Sequence, residues 1–213
     1  MDNRTQIVVL AKRPRPGRVK TRLTPPYTPE EAADLAADAL RDTMDAVSAT
    51  PATARVLAID DPGPGLAPAG FEMIGQRGDG LDQRLAWAFD DVYARRQVPV
   101  LLVGMDTPQI TPTLLTQAAT ALHEHDAVFG PATDGGFWLL GLRRPDPALL
   151  LGVPMSTPGT GAAQLRRLSG LSVATMPLLT DVDDAADARE VARQAPHTRF
   201  AATLARLAAG AAR

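Results

Sequence analysis

The chain contains no cysteine, which excludes disulfides, thiolate metal sites and cysteine nucleophiles. It also lacks long hydrophobic runs. The longest, such as Val98 to Met105, falls far short of the roughly 20 residues of a membrane-spanning helix. The apolar stretch near the start, Ile7 to Ala11, is too short for a secretory signal. A soluble, cytoplasmic protein with no membrane partner is expected. A basic excess is missing too: 22 Lys+Arg stand against 24 Asp+Glu, a net charge of −2, so nucleic acid is not an expected partner. No G-x-x-x-x-G-K-[ST] is present and no G-x-G-x-x-G follows the first apolar run, which argues against a Walker A loop and NAD binding. Ser156 and Ser169 lie in no nucleophile elbow, and serine-hydrolase chemistry is disfavoured. Lysine itself is scarce. Only Lys12 and Lys20 occur among 22 basic residues, eight positions apart. Either this is a compositional accident or a compact ammonium is needed there, a task that arginine performs poorly.

What is present is an ordinary globular composition: 213 residues, 45% hydrophobic and 22% charged, enough for a sizeable core. Seventeen glycines and 19 prolines stay below the range that marks disorder. Apolar runs alternate with helical patterns throughout. Gln6–Ala11, Arg55–Ile59, Phe71–Ile74, Val98–Gly104, Ala127–Gly130, Phe137–Leu142 and Leu171–Met176 read as strands. Thr28-Pro29-Glu30-Glu31 predicts a capped helix start. Further helices are expected after Leu81, from Thr111-Pro112 to about Glu124, near Gly161–Leu168, and twice at the C-terminal end, with Asp183 as the N-cap of the first of that pair. His123, His125 and His197 form no spaced metal motif and read as surface helix residues. No linker or repeat divides the chain. Residues 1–213 are expected to form a single three-layer α/β/α domain with a mostly parallel sheet.

Ligands in such sheets bind outside the carboxyl ends of the strands, and four polar segments fall there. Lys12 to Arg22 carries six basic residues in eleven. It reads either as a polyphosphate-binding loop, with Gly17 permitting close backbone approach, or as a solvated surface loop. Asp106 leaves the buried Val98–Gly104 run in M-D-T-P. It reads as a ligand of Mg²⁺ or Mn²⁺ or as a turn residue bonded to its own backbone. Asp134 before Gly135-Gly136 suits a hairpin turn and also an acceptor-facing carboxylate. Asp183, in Thr180-Asp181-Val182-Asp183, suits a helix cap as well as a metal.

Five segments recur in the order of one family: A-K-R-P-R-P-G-R-V-K-T-R-L (Ala11–Leu23), G-M-D-T-P (Gly104–Pro108), G-P-A-T-D-G-G-F-W-L-L-G-L (Gly130–Leu142), V-P-M-S-T (Val153–Thr157) and D-V-D-D-A-A-D (Asp181–Asp187). Over about residues 6 to 194 the chain resembles the radical-SAM/selenodomain-associated transferases. That GT-A-like group is also labelled arsenosugar-biosynthesis glycosyltransferases. The resemblance implies a Rossmann-like nucleotide-diphospho-sugar transferase fold, with molybdenum-cofactor guanylyltransferases and sugar-nucleotide cytidylyltransferases as wider relatives. It implies phosphate binding by the loop after the first strand (Lys12, Gly17, Lys20 and Arg22). It further implies Mg²⁺ (or Mn²⁺) on Asp106 and Asp183, and base and ribose near Asp60–Asp61 and Gly78–Arg84. Asp106 lacks the D-x-D pair of many GT-A glycosyltransferases, and Met155 stands where the family usually has Trp.

The expected reaction is Mg²⁺-dependent sugar transfer from a nucleotide diphospho-sugar to a small-molecule acceptor. Lys20, Arg22 and Lys12 would add charge on the phosphates, and Asp134 would orient or deprotonate the acceptor. Nucleotidyl transfer from a nucleoside triphosphate, releasing pyrophosphate, is the alternative, and a non-catalytic nucleotide-binding protein is a third reading.

Overall fold

A computed structural model describes residues 4–211. Strand β1 (Gln6–Ala11) is followed by the basic loop and helix α1 (Pro29–Ser48). The predicted capping box at its start is present. Thr28 Oγ1 accepts from Glu31 N at 3.2 Å, Glu31 Oε2 accepts from Thr28 N at 2.9 Å, and Pro29 opens the first turn. Then come β2 (Ala54–Ile59), β3 (Phe71–Gly75), α2 (Leu81–Arg96), β4 (Val100–Gly104) and α3 (Pro112–Glu124). The chain continues through β5 (Ala127–Pro131), β6 (Phe137–Leu142), α4 (Thr160–Arg167), β7 (Val173–Thr175), α5 (Ala185–Gln194) and α6 (Arg199–Ala211).

The strands form one sheet in the order β3-β2-β1-β4-β6-β5-β7. It is mostly parallel: β6 alone runs against its neighbours, β4 and β5. Period-two alternation sends Ile7, Val9, Leu57, Ile59, Leu101 and Val103 to a core shared with α1 and α3. The intervening Val8, Val56, Ala58, Val100 and Leu102 meet Leu85, Phe89 and Val92 of α2 on the other face. Burial on both faces is why these strands read as continuous apolar runs. The chain steps outward from β1 through β2 to β3, then returns to place β4 on the other side of β1. The switch point between β1 and β4 opens a crevice at their carboxyl ends, where such sheets bind ligands.

Four details depart from the sequence-based expectation. β4 begins at Val100 rather than Val98, because Pro99 has no N–H to give to the ladder; its carbonyl still accepts from Gln6 N at 2.9 Å. β7 shrinks to Val173–Thr175, three residues pairing β5 alone. The N-cap of α5 is Asp184, not Asp183: Asp184 Oδ1 accepts from Ala186 N (2.7 Å) and Asp187 N (3.0 Å). His197 lies in the turn between α5 and α6 rather than on a helix. The apolar stripe of α6 is satisfied within the chain, since Phe200 and Leu204 pack with Leu35 and Ala39 of α1 and Val191 of α5.

Candidate active site

The crevice is a cleft of about 580 Å³. One wall is the loop after β1. Val19 is buried and anchors it, and beside Val19 the loop presents Lys12, Arg18, Lys20 and Arg22 to the cleft. The opposing acids come from three places: Asp106 at the exit of β4, Asp134 in the β5–β6 hairpin, and Asp181 and Asp183 ahead of α5. Backbone bonding brings these distant segments together. Val182 N donates to Asp106 O at 2.9 Å, and the fully buried Val182 side chain plugs into the core between α1 and α5. With Val182 turned inward, the alternation of an extended segment turns Asp181 and Asp183 the other way.

Lys20 sits at the centre of this arrangement. Its Nζ lies 2.5 Å from Asp106 Oδ1 and also donates to Val182 O. Its side chain is only 8% exposed, against 42% for Asp106. Lys20 is therefore held by the strand exit and the α5 entry together, and its backbone adopts the left-handed conformation (φ 49°). Arg22 Nη1 stands 3.3 Å from Asp183 Oδ2. Among the described residues, no side chain pairs with the Lys12 ammonium or the Arg18 guanidinium, both exposed at the cleft.

The acids feel one another. Burial is the largest influence on Asp181 and pushes its carboxyl from 3.8 to about 7. Asp106 and Asp134 push the same way, while the Thr107 hydroxyl, 2.8 Å from Asp181 Oδ1, and Lys20 oppose them. Part of the Asp181 surface remains open to the cleft although protein surrounds most of the carboxylate. Asp183 is also raised, first by burial, with Lys20 and Arg22 pulling it down.

On the remaining side, the β5–β6 hairpin rests on the start of α4. Gly135 has φ +85°, and a Cβ there would meet Pro158 O at 2.1 Å. Gly161 N donates to Gly135 O at 2.8 Å. Asp134 Oδ1 accepts from Gly136 N at 2.8 Å, which leaves Oδ2 for another partner. Phe137, Met155, Ser156 and Thr157 complete this shelf.

Lys12, Lys20, Arg22, Arg84, Asp106, Asp134 and Asp183 thus line one cleft. Gly17 and Asp61 do not: Gly17 is at the outer turn of the loop, and Asp61 is held by Arg13 (3.3 Å) and Arg15. Asp181, Thr107, Arg18 and Gln76 line the cleft or support its acids without having been singled out from sequence. The D-V-D spacing around an apolar residue was the available signal for Asp181. For Gln76 there was none, because its neighbours come from β1 and β2.

Among the described residues no three Asp, Glu or His side chains lie close enough to hold a metal by themselves. Mg²⁺ commonly needs only one or two carboxylates and takes its other oxygens from phosphate and water. Mutually repelling carboxylates, beside loop cations that have no side-chain partner among the described residues, fit that donor set.

A family model described as an uncharacterized protein conserved in bacteria, DUF2064, matches residues 35–157, more than half of the chain. The chain belongs to the DUF2064 family. Among proteins of curated function none matches its sequence. Its fold is shared with an inferred nucleotide-diphospho-sugar transferase from Desulfovibrio desulfuricans G20, at 24% identity and TM-score 0.88 over 98% of this chain and 96% of that one. Rv0371c from Mycobacterium tuberculosis H37Rv is similar at 18% identity and TM-score 0.61, over 91% and 100% of the two chains. A manganese complex of Rv0371c gives TM-score 0.52 at 18% identity over 88% and 97%. CMP:2-keto-3-deoxy-manno-octonic acid synthetase complexed with CTP gives 15% identity and TM-score 0.56 over 88% and 96%. This DUF2064 member shares its fold with these proteins. Among its described residues no helix is long and apolar enough to cross a membrane.

Proposed function

We propose that the chain is one divalent-metal-dependent transferase domain that moves a sugar from a nucleotide diphospho-sugar to a small-molecule acceptor. The supporting observation is the gathering in one cleft of the loop cations, the opposing carboxylates of Asp106 and Asp183, and the Asp134 hairpin shelf. Asp106 and Asp183 would hold Mg²⁺ or Mn²⁺, which when bound supplies positive charge to the diphosphate leaving group. Rv0371c, which shares the fold, forms a manganese complex, and that supports reading the cleft as metal-dependent. Likeness to the radical-SAM-associated transferases points to sugar transfer too.

Lys12, Arg18 and Arg22 bind the phosphates, and Lys20 stays beside Asp106, fixing its orientation and adding charge as the bond breaks. The sugar C1–oxygen bond to the diphosphate breaks and the nucleoside diphosphate leaves with the electron pair. The acceptor hydroxyl oxygen bonds C1, and its proton passes to Asp134 Oδ2. The Gly136 N–H on Oδ1 keeps that carboxylate in place.

A second reading is favoured by the two unpaired cations, Lys12 and Arg18, since a triphosphate uses more positive charge than a diphosphate. In it, an acceptor oxygen attacks the α-phosphorus, and pyrophosphate departs. Product analysis separates the two. Incubation of the purified chain with Mg²⁺, a panel of sugar nucleotides or triphosphates, and pooled small acceptors should release nucleoside diphosphate from a sugar nucleotide. Pyrophosphate from a triphosphate supports the second reading instead. Tight nucleotide binding with neither product across the panel leaves a binding protein and refutes both.

A further inference from the structure

Asp181 is the cleft acid left over once Asp106 and Asp183 are assigned to the metal and Asp134 to the acceptor. The backbone on both sides of it is fastened. Leu179 N donates to Pro131 O at 3.1 Å and Leu179 O accepts from Thr133 N at 2.9 Å, which ties the segment to the β5–β6 hairpin. Gln109 Nε2 donates to Thr180 O at 2.6 Å, and Val182 N donates to Asp106 O at 2.9 Å. Both chain neighbours of Asp181 are thus held by the loop after β4. These bonds leave only the Asp181 side chain to rotate, and Thr107 takes that freedom away: its Oγ1 donates to Asp181 Oδ1 at 2.8 Å. Thr107 is 1% exposed, so water scarcely competes for that bond. Among the described residues no other group donates to the Asp181 carboxylate, which leaves Oδ2 for the cleft that Asp181 lines.

Asp106, Asp181 and Asp183 are joined by one knot of backbone, yet among the described residues no three acids converge closely enough to hold an ion as direct ligands. A carboxylate beside a cation but outside its direct ligands acts through the ion's water, and Mg²⁺ keeps several of its waters when bound. Groups that orient such ligands from outside commonly change metal affinity by roughly 10- to 100-fold. We infer that Thr107 is a positioning residue for the divalent cation: its hydroxyl locks Asp181 so that Oδ2 serves the water shell of an ion on Asp106 and Asp183. A side chain left to rotate has to be fixed at each binding event, whereas the Thr107 hydroxyl fixes this one beforehand. The inference rests on the metal reading of the cleft and adds to it a residue that touches neither metal nor substrate.

The test is titration of the full chain with Mn²⁺ alone, at about pH 8 under nitrogen, following the electron paramagnetic resonance of the free aqueous ion. Asp181 titrates at about 7 and is ionised there. Thr107→Val keeps the size and branching of the side chain and removes its hydroxyl, and should weaken Mn²⁺ binding about tenfold. Thr107→Ser restores the hydroxyl and should bind within about twofold of wild type. Packing alone does not produce that recovery, since serine fills the space less well than valine. Asp181→Asn should weaken Mn²⁺ at least as much as Thr107→Val does. Adding Thr107→Val to Asp181→Asn should change little further, because the hydroxyl then has no carboxylate to hold. A melting curve accompanies each variant, and if Thr107→Val fails to fold, Asp181→Asn decides: a tenfold loss supports the inference, and unchanged affinity overturns it. Thr107→Val that binds Mn²⁺ like wild type, or Thr107→Ser as weak as Thr107→Val, overturns this inference and leaves the metal reading standing. No Mn²⁺ binding by wild type overturns both.

Discussion

Lys20 Nζ lies 2.5 Å from Asp106 Oδ1, joining the one lysine sheltered in the basic loop to the carboxylate at the exit of β4. The bond to Val182 O adds the entry of α5 to the same knot. A lysine fits here because a compact ammonium satisfies a carboxylate and a carbonyl at once, where a planar guanidinium has a different reach and hydrogen-bond geometry. Lys20→Ala should lower turnover by about 10²–10³-fold, the usual cost of removing one well-placed charged or polar stabiliser. Lys20→Arg should recover nucleotide binding better than turnover, because ground-state attraction tolerates a displaced charge. Arg15→Ala, whose guanidinium pairs with Asp61 outside the cleft, should stay near wild type. Steady-state kinetics on the three variants check this. Full turnover by Lys20→Arg would make the lysine an accident of composition.

Moving the α5 cap from Asp183 to Asp184 separates stability from binding at adjacent positions. Asp184→Ala removes acceptors for Ala186 N and Asp187 N and should cost about 1 kcal/mol. Asp183→Ser should leave the melting temperature almost unchanged while weakening Mg²⁺-dependent nucleotide binding. Thermal denaturation and titration of both variants give the comparison. A large loss of stability in Asp183→Ser alone would return the cap to that residue.

Asp181 predicts a pH dependence of known sign. Its folded carboxyl titrates at about 7 instead of 3.8, chiefly through burial. Between those values the native state holds a proton that the unfolded chain has released, so its contribution to stability falls as pH rises from about 4 to about 7. Asp181→Asn should flatten that part of the profile and be relatively most stabilising near pH 8. Denaturant melts of both proteins without added metal, from pH 4 to 8, measure the difference. A difference that is constant with pH would mean that Asp181 titrates normally.

Two glycines with positive φ should differ sharply. Gly17 (φ +70°) has nothing within 4 Å of an added Cβ, so Gly17→Ala costs only the left-handed backbone, about 1 kcal/mol. Gly135→Ala meets Pro158 O at 2.1 Å as well and should cost clearly more, with the hairpin shelf displaced. Equal losses in the two melts would show that the hairpin and the start of α4 are not packed together.

The sheet was legible because β1, β2 and β4 are buried on both faces and have no competing helical period. The α1 start was legible from Thr28 and Glu31, whose capping box is entirely local. Misreadings came where tertiary contacts decide. Asp183 and Asp184 are equally good caps in sequence, and the bond from Val182 N to Asp106 O, 76 residues away in the chain, helps fix the approach to the helix. The place of Asp61 outside the cleft was equally hidden, because Arg13 and Arg15 meet it only in the folded chain. Lys20, Arg22, Asp106, Asp134 and Asp183 could be picked out because each follows a strand or precedes a helix in a polar cluster. Gln76 could not, since its bonds to Ala11 and Ala58 exist only once three strands lie side by side.

The central claim is that Asp106 joins a metal to a nucleotide, and calorimetric titration of Asp106→Asn against wild type tests it most directly. Asparagine preserves the side-chain shape and removes the charge. Wild type should bind its preferred nucleotide more tightly with Mg²⁺ than with a chelator present. In Asp106→Asn that difference should largely vanish while the melting curve still shows a folded protein. Unchanged Mg²⁺ dependence in a folded Asp106→Asn would contradict the account and reduce Asp106 to a turn residue paired with Lys20.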